Sequence, residues 1–390
     1  MGCTYARAKK CSPVGISTRI DMPAYGYGIK RNPLNWYGNK IGKAYRYGTL
    51  VYQSYQWSQG AFTSMSSVRD YMAAAAIPNG NVILVAGGST TGSDYLSLVE
   101  RFTEAGVRST VNSLSRAVYH FSGAGNGNKA FFGGGGYSSL SNTSDVNMYD
   151  SAGVRTSVTS LYKSVRGNRA TSLGSYVIFG GGRISAFSGQ TAVADAYDQN
   201  GARTRMSDMA AEVYEHGAAS TTTHAIFGFG WDRNSWPTYV TLYNTSLVRT
   251  ATTNGLYGRQ GVGTARSGNG VLFAGGFYGS TKVLRDTVEH FDTSAVRTLY
   301  PALSIAKSNA GAAYINGKTV VFGGKNNSNV AYTTVEVYND SGVKEASRAT
   351  QTARYMVGVP FDVLNGTLYI FGGRTTSDVY LNTAETISYK

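Results

Sequence analysis

Cysteine is almost absent from this 390-residue chain; the two present, Cys3 and Cys11, both lie in its first dozen residues. Disulfides are therefore not expected to hold the body of the protein together. Histidine is equally scarce, with only His120, His216, His224 and His290. No His-Glu-x-x-His, no closely spaced cysteine pair and no acidic ligand cluster accompanies them, so neither a metal centre nor a cofactor is expected. No run of eighteen apolar residues occurs, and a membrane span is not expected. The opening residues, MGCTYARAKK, lack the apolar stretch of a secretory signal. Met1-Gly2-Cys3 ahead of bases invites a lipidation reading, but Ala6 stands where that pattern wants Ser or Thr. Charged residues make up only 15% of the chain, whereas hydrophobic residues reach 42%, enough for a folded core.

Glycine (49) and tyrosine (29) are plentiful, and the glycines are not scattered. The run Thr319-Val320-Val321-Phe322-Gly323-Gly324 comes round six more times, as NVILVAGG, KAFFGGGG, SYVIFGGG, THAIFGFG, GVLFAGG and TLYIFGG. Counted from the second glycine, the copies fall at Gly88, Gly134, Gly182, Gly230, Gly276, Gly324 and Gly373. A period near fifty residues with a β-prone apolar run is the signature of a radial β-repeat. Each unit opens with a small-residue strand such as Met72–Ala76, followed by the Gly-Gly strand and a variable loop. A third strand ends in an aromatic and Asp or Asn, as in Val146–Asp150 and Val335–Asn339. A fourth opens on Val-Arg-Thr or a variant, at Val107, Val154, Ala202, Val248, Val296 and Val343. The last repeat stops after its third strand. Because an open blade exposes a sheet edge, Trp57–Met65 is expected to complete it beside Glu385–Tyr389.

The order Gly-Gly, then Val-Glu-x-Tyr-Asp, then an outer strand resembles the Kelch repeat over about residues 57–390. The resemblance implies an all-β, seven-bladed Kelch-like β-propeller closed by an N-terminal strand. The family's outer-strand tryptophan is missing and the Val-Arg-Thr pattern stands in its place, which questions the inter-blade packing. Two segments follow: residues 1–56, a basic, Tyr/Gly-rich arm, and residues 57–390, the propeller.

The formal charge of +14 is uneven. Residues 1–56 carry nine Lys or Arg against the single acid Asp21. Their aromatics and bases, including Tyr25, Tyr27, Arg31, Trp36, Tyr37, Tyr45, Arg46 and Tyr47, show no helical or alternating period. Rigid aromatic area with positive charge is interface chemistry, so this segment is expected to be an extended docking arm for other structural proteins. No nucleic-acid-binding module accompanies it, and nucleic acid is not the expected partner.

In the propeller, catalytic residues are not expected: the histidines fall in separate repeats, save His216 and His224, and read as packed structural residues. Gly133–Gly136 and Gly180–Gly182 are blade glycines and not phosphate loops. A base usually precedes the inner strand: Arg69, Arg116, Lys163, Arg259, Lys307 and Arg354, with Glu212 the exception. Kelch adaptors that bind acidic peptides place arginines at this point, which implies an anion-attracting ring open to an anionic or carbohydrate ligand. The bland alternative pairs each base with an acid from a neighbouring blade, such as Glu100, Glu289, Glu336 or Glu385. The expected function is a non-enzymatic binding propeller, anchored by its arm in a larger assembly such as a phage-like virion. That particle would be assembled in the cytoplasm. An intracellular adaptor and a sugar-active oxidase or epimerase are the alternatives.

Overall fold

Why two glycines end the second strand of nearly every repeat is answered by backbone geometry. In a computed structural model describing residues 43–46, 49–53 and 56–390 (save 186–188, 356, 357 and 359), both positions have positive φ. The first spans 53° to 77° and the second 87° to 112°, from Gly87-Gly88 to Gly372-Gly373. Glycine visits this region freely, and one exception, Phe229 at φ 65°, stands where the other six blades have glycine. The second glycine donates its N–H into the connector that enters the next blade: Gly88 to Val118 O, Gly135 to Val165 O, Gly182 to Val213 O and Gly276 to Lys307 O. This bond shows that the equivalent glycine of the second repeat is Gly135, one residue beyond the Gly134 that sequence spacing picks out. The pair is a hinge that hands each blade to the next.

Seven four-stranded antiparallel blades result. The first runs Ala73–Ile77, Val82–Ala86, Val99–Thr103 and Arg108–Thr110 from axis to rim. The fifth adds a small hairpin, Phe277–Tyr278 with Val283–Leu284, inside its second-to-third-strand loop. The seventh has Phe361–Leu364, Thr367–Phe371 and Ala384–Tyr389, and its outer strand is Trp57–Phe62. The register sets Trp57 opposite Tyr389 and Phe62 opposite Ala384. The chain therefore closes its own ring with the strand that sequence assigned to this task, and no blade is left open. Adjacent inner strands touch all the way round, including Phe361–Leu364 against Ala73–Ile77.

Apolar packing follows the same sevenfold logic. Each of seven buried clusters joins one blade to its neighbour; the first sets Ala75, Leu84 and Val99 against Phe121, Phe132 and Tyr149. The aromatic near the end of each third strand packs into one of these clusters: Phe102, Tyr149, Tyr197, Tyr243, Phe291 and Tyr338 are all essentially buried. The Val-Arg-Thr base has a separate task. Arg108, Arg203, Arg249 and Lys344 donate to the carbonyls of Ser64, Ser160, Asp208 and Ala302, tying each outer strand to the connector ahead of its own blade.

Antiparallel alternation gives the ring two unlike ends. One carries the first-to-second and third-to-fourth strand turns. There Asp150, Asp198, Asn244, Asp292 and Asn339 each accept the N–H groups two and four residues ahead through Oδ1, the same Asx turn five times. The other end carries the connectors and the second-to-third-strand loops, which differ from blade to blade. Separately, Lys43–Arg46 and Thr49–Gln53 pair as an antiparallel hairpin in a unit that ends at Tyr55.

Candidate functional site

The six bases expected to ring one face do not form that ring. The side chains of Arg69, Arg259, Lys307 and Arg354 are fully buried. Each faces a glutamate on the third strand of its own blade: Arg69 on Glu100, Arg259 on Glu289 at 2.5 Å, Lys307 on Glu336 at 3.6 Å, and Arg354 on Glu385 at 2.8 Å. Burial pulls Arg69 down to about 10, against the attraction of Glu100, and Lys307 down to about 8, against Glu336. A guanidinium without solvent contact and already matched to a carboxylate is not offered to a ligand, so the anion-attracting ring is corrected to an internal truss. The same glutamates accept a connector N–H, from Ser66, Leu256, Ser304 and Gln351.

Arg116 and Lys163 belong elsewhere. Both are exposed, Arg116 3.4 Å from Asp145 and over the Tyr137 ring, Lys163 beside Tyr162. By connector hydrogen bonds the positions equivalent to Arg69 are Val118, Val165 and Val213, two residues beyond Arg116 and Lys163 and one beyond Glu212. In those three blades the glutamate is also gone, and Asn147, Asp195 and Thr241 accept the connector N–H instead. Valine thus accompanies a short polar residue wherever a base would accompany glutamate. The acids named in the bland reading were the right ones, but they lie within each repeat and not in a neighbouring blade.

The variable end of the ring holds a different constellation. Just before the inner strands, Tyr71, His120, Gly167, Glu215, Gly261 and Asn309 all adopt left-handed backbone, φ 52° to 65°. From His120 onward each N–H reaches the carbonyl of its counterpart one blade back: His120 to Tyr71 at 2.8 Å, Gly167 to His120 at 2.6 Å, Glu215 to Gly167 at 3.0 Å, Gly261 to Glu215 at 3.3 Å and Asn309 to Gly261 at 2.8 Å. This backbone annulus frames the mouth of the axis. The seventh position, Met356, lies outside the described residues.

Around the annulus sit paired charges and stacked aromatics. Arg374 Nε meets Asp70 Oδ2 at 2.5 Å and lies over Tyr71 and Tyr380. Tyr95 stacks on Tyr119 at 4.3 Å, and Arg166 donates to the Tyr119 hydroxyl at 2.8 Å. Lys325 lies 4.1 Å over Tyr355, and Gln260 donates to Glu215 Oε2 at 2.8 Å. Burial raises the Glu215 carboxyl, opposed by Arg169. His120 Nε2 is 3.4 Å from Glu215 Oε1, yet this is no ion pair. Burial, then Arg169, Arg166 and Arg183, hold His120 down to about 3, so the imidazole is neutral. His216 is likewise buried and held to about 3, with both ring nitrogens unpartnered. Among the described residues no group of three His, Cys, Asp or Glu is placed to hold a metal ion. Sequence reasoning missed this mouth because its residues share a backbone conformation, not a residue type.

Of the expected docking residues, Tyr45 and Arg46 fall in the strand Lys43–Arg46, a hairpin where an extended segment was expected. The β-prone run Leu50-Val51-Tyr52 accounts for the pairing. Tyr25, Tyr27, Arg31, Trp36, Tyr37 and Tyr47 lie outside the described residues.

Comparison with known proteins agrees with this geometry. The family model described as the Kelch motif matches residues 306–342, the sixth blade. No curated protein matches. A solved structure titled "Structure of YjhT" superposes with a TM-score of 0.57 at 11% identity, over 74% of this chain and 99% of that one, a likeness of fold alone. The matched motif and the seven closed blades together describe a Kelch-repeat β-propeller.

Proposed function

We propose that this chain is a non-enzymatic recognition propeller, held in a larger assembly such as a phage-like virion by residues 1–56. The propeller serves there as an appendage or adaptor surface, and the particle is assembled in the cytoplasm. The observation that carries the binding role is the contrast between the two ends of the ring. One end repeats a single turn blade after blade. The other spends its variation on loops such as Ser89–Tyr95, Tyr137–Asn142, Trp231–Thr238 and Arg374–Tyr380, rich in Tyr, Trp, Ser, Asn and Gly. Rigid amphipathic rings for contact area and small adaptable polar residues are the composition of antibody-type binding loops. Constant scaffold with variable loops is how a fold carries recognition.

Support for the anchoring role is compositional: eight excess positive charges and nine aromatics within residues 1–56. Ordering such a segment costs roughly 1 kcal/mol or more per residue, which an acidic, partly apolar groove on another chain offsets. Deleting residues 1–55 tests the anchor. The truncated propeller should melt cooperatively and fail to join its assembly. Normal assembly of the truncated chain overturns the anchoring role.

A further inference from the structure

The chain has four tryptophans, and two of them, Trp231 and Trp236, sit in one eight-residue loop of the fourth blade. Neither belongs to any of the seven apolar clusters that join the blades. Both are half-buried, so their large apolar faces are not spent on the core. With Tyr214 and Tyr278 they form a continuous arc across the fourth and fifth blades. Ring centroids are 5.4 Å apart from Tyr214 to Trp231, 6.4 Å from Trp231 to Trp236 and 5.2 Å from Trp236 to Tyr278.

The arc is held rigid. Asp232 caps its own loop by accepting the N–H groups of Asn234 and Ser235 and the Ser235 hydroxyl. The Trp236 backbone lies so close to Gly258 that a Cβ there would sit 1.6 Å from the Trp236 carbonyl oxygen. The Trp236 indole N–H donates to Gln260 Oε1 at 3.0 Å, and Gln260 passes the tie on to Glu215 at the axis mouth. A relay of hydrogen bonds thus runs from the shelf to the annulus.

We propose that this shelf binds a neutral oligosaccharide, an inference that rests on the variable end being the recognition surface. A pyranose presents polarised C–H bonds on its faces and hydroxyls on its edge. The negative face of an aromatic ring attracts the former, and carboxylate and amide groups pair with the latter. The shelf offers successive rings inclined at 40° to 61°, spaced on the scale of a sugar unit, with Asp232, Arg233 and Asn234 in the same loop. A protein anchor would want one enclosed pocket, and the arc instead spreads over four rings and two blades. Asp232 and Arg233 set opposite charges side by side, so the loop carries no net charge that would select an acidic sugar.

The test uses the full chain with cellohexaose, mannohexaose, galactohexaose and N-acetylchitohexaose, read by titration calorimetry and tryptophan fluorescence. One of them should bind and shift the emission. Trp231→Ala and Trp236→Ala should each weaken it about tenfold or more at unchanged melting temperature, with Trp236→Phe retaining most affinity. Tyr278→Ala, at an exposed position, gives the same reading should either alanine variant fold poorly. Binding by none of the four overturns the proposal, as does tighter binding of hexagalacturonate. Binding that survives all shelf variants but is lost in Tyr380→Ala overturns the shelf while leaving the variable end as the recognition surface.

Discussion

A buried arginine facing a buried glutamate invites the conclusion that the pair stabilises the blade, and the other blades argue against it. Taking both ions out of water costs most of what their attraction returns, whereas removing one partner strands a charge and costs about 3–5 kcal/mol. Blades two and four show the uncharged solution, valine with Asn147 or Thr241 in place of the glutamate. Arg259→Val or Glu289→Thr alone should therefore lower stability by about 3 kcal/mol, and the double variant should recover most of it. Urea midpoints at constant slope check this; additive losses would show the pair to be a net stabiliser. Titration gives a second residue-scale expectation. His216, with its ordinary value near 6.5 held to about 3 by burial, binds its proton more readily when unfolded. Its contribution is intact above pH 6.5 and drains away as pH falls toward 3. Asp362, in the inner strand of blade seven, is raised to about 6 by burial, although the N–H groups of Ala76 and Val363 oppose this. Its contribution runs the other way, fading as pH rises from about 4 to 6. Melting temperature against pH between 4 and 6 should flatten in His216→Leu and steepen in Asp362→Asn.

At the scale of the element, the hinge glycines can be separated from the ornamental ones. Gly276 has φ 97°, and a Cβ there would meet Gln260 O and Val262 Cγ1 at 2.8 Å. Gly276→Ala should cost about 1–3 kcal/mol through strain and overlap. Gly60, in the closing strand, has ordinary backbone and nothing within 4 Å, so Gly60→Ala should be neutral or gain a few tenths of a kcal/mol. Thermal unfolding of both variants decides, and equal effects would contradict the hinge. These glycines are also why the fold was legible: a backbone demand that only glycine meets easily leaves a mark at every turn of the ring. The bases left a misleading one. Connectors differ in length, so Arg116 and Lys163 lined up with Arg69 by eye although Val118 and Val165 hold its place. The axis mouth left none, because left-handed backbone was met by Tyr, His, Gly, Glu and Asn alike.

For the whole molecule, the closing strand separates two deletions that look similar in sequence. Removing residues 1–55 leaves Trp57–Phe62 paired with Ala384–Tyr389, whereas removing 1–62 strips blade seven of its outer strand and exposes an edge. The longer deletion should lose cooperative melting or aggregate, and a cooperative transition there would mean that three strands suffice. The proposed division of labour, with residues 1–56 toward the assembly and the variable loops toward the ligand, is tested most directly by amine cross-linking and mass spectrometry of the intact assembly. Lys30, Lys40 and Lys43 should be joined to other structural proteins, while Lys282, in the hairpin loop of blade five, and Lys325, at the end of the second strand of blade six, should not. Cross-links to those proteins from Lys282 and Lys325, with none from the first 56 residues, would contradict the account.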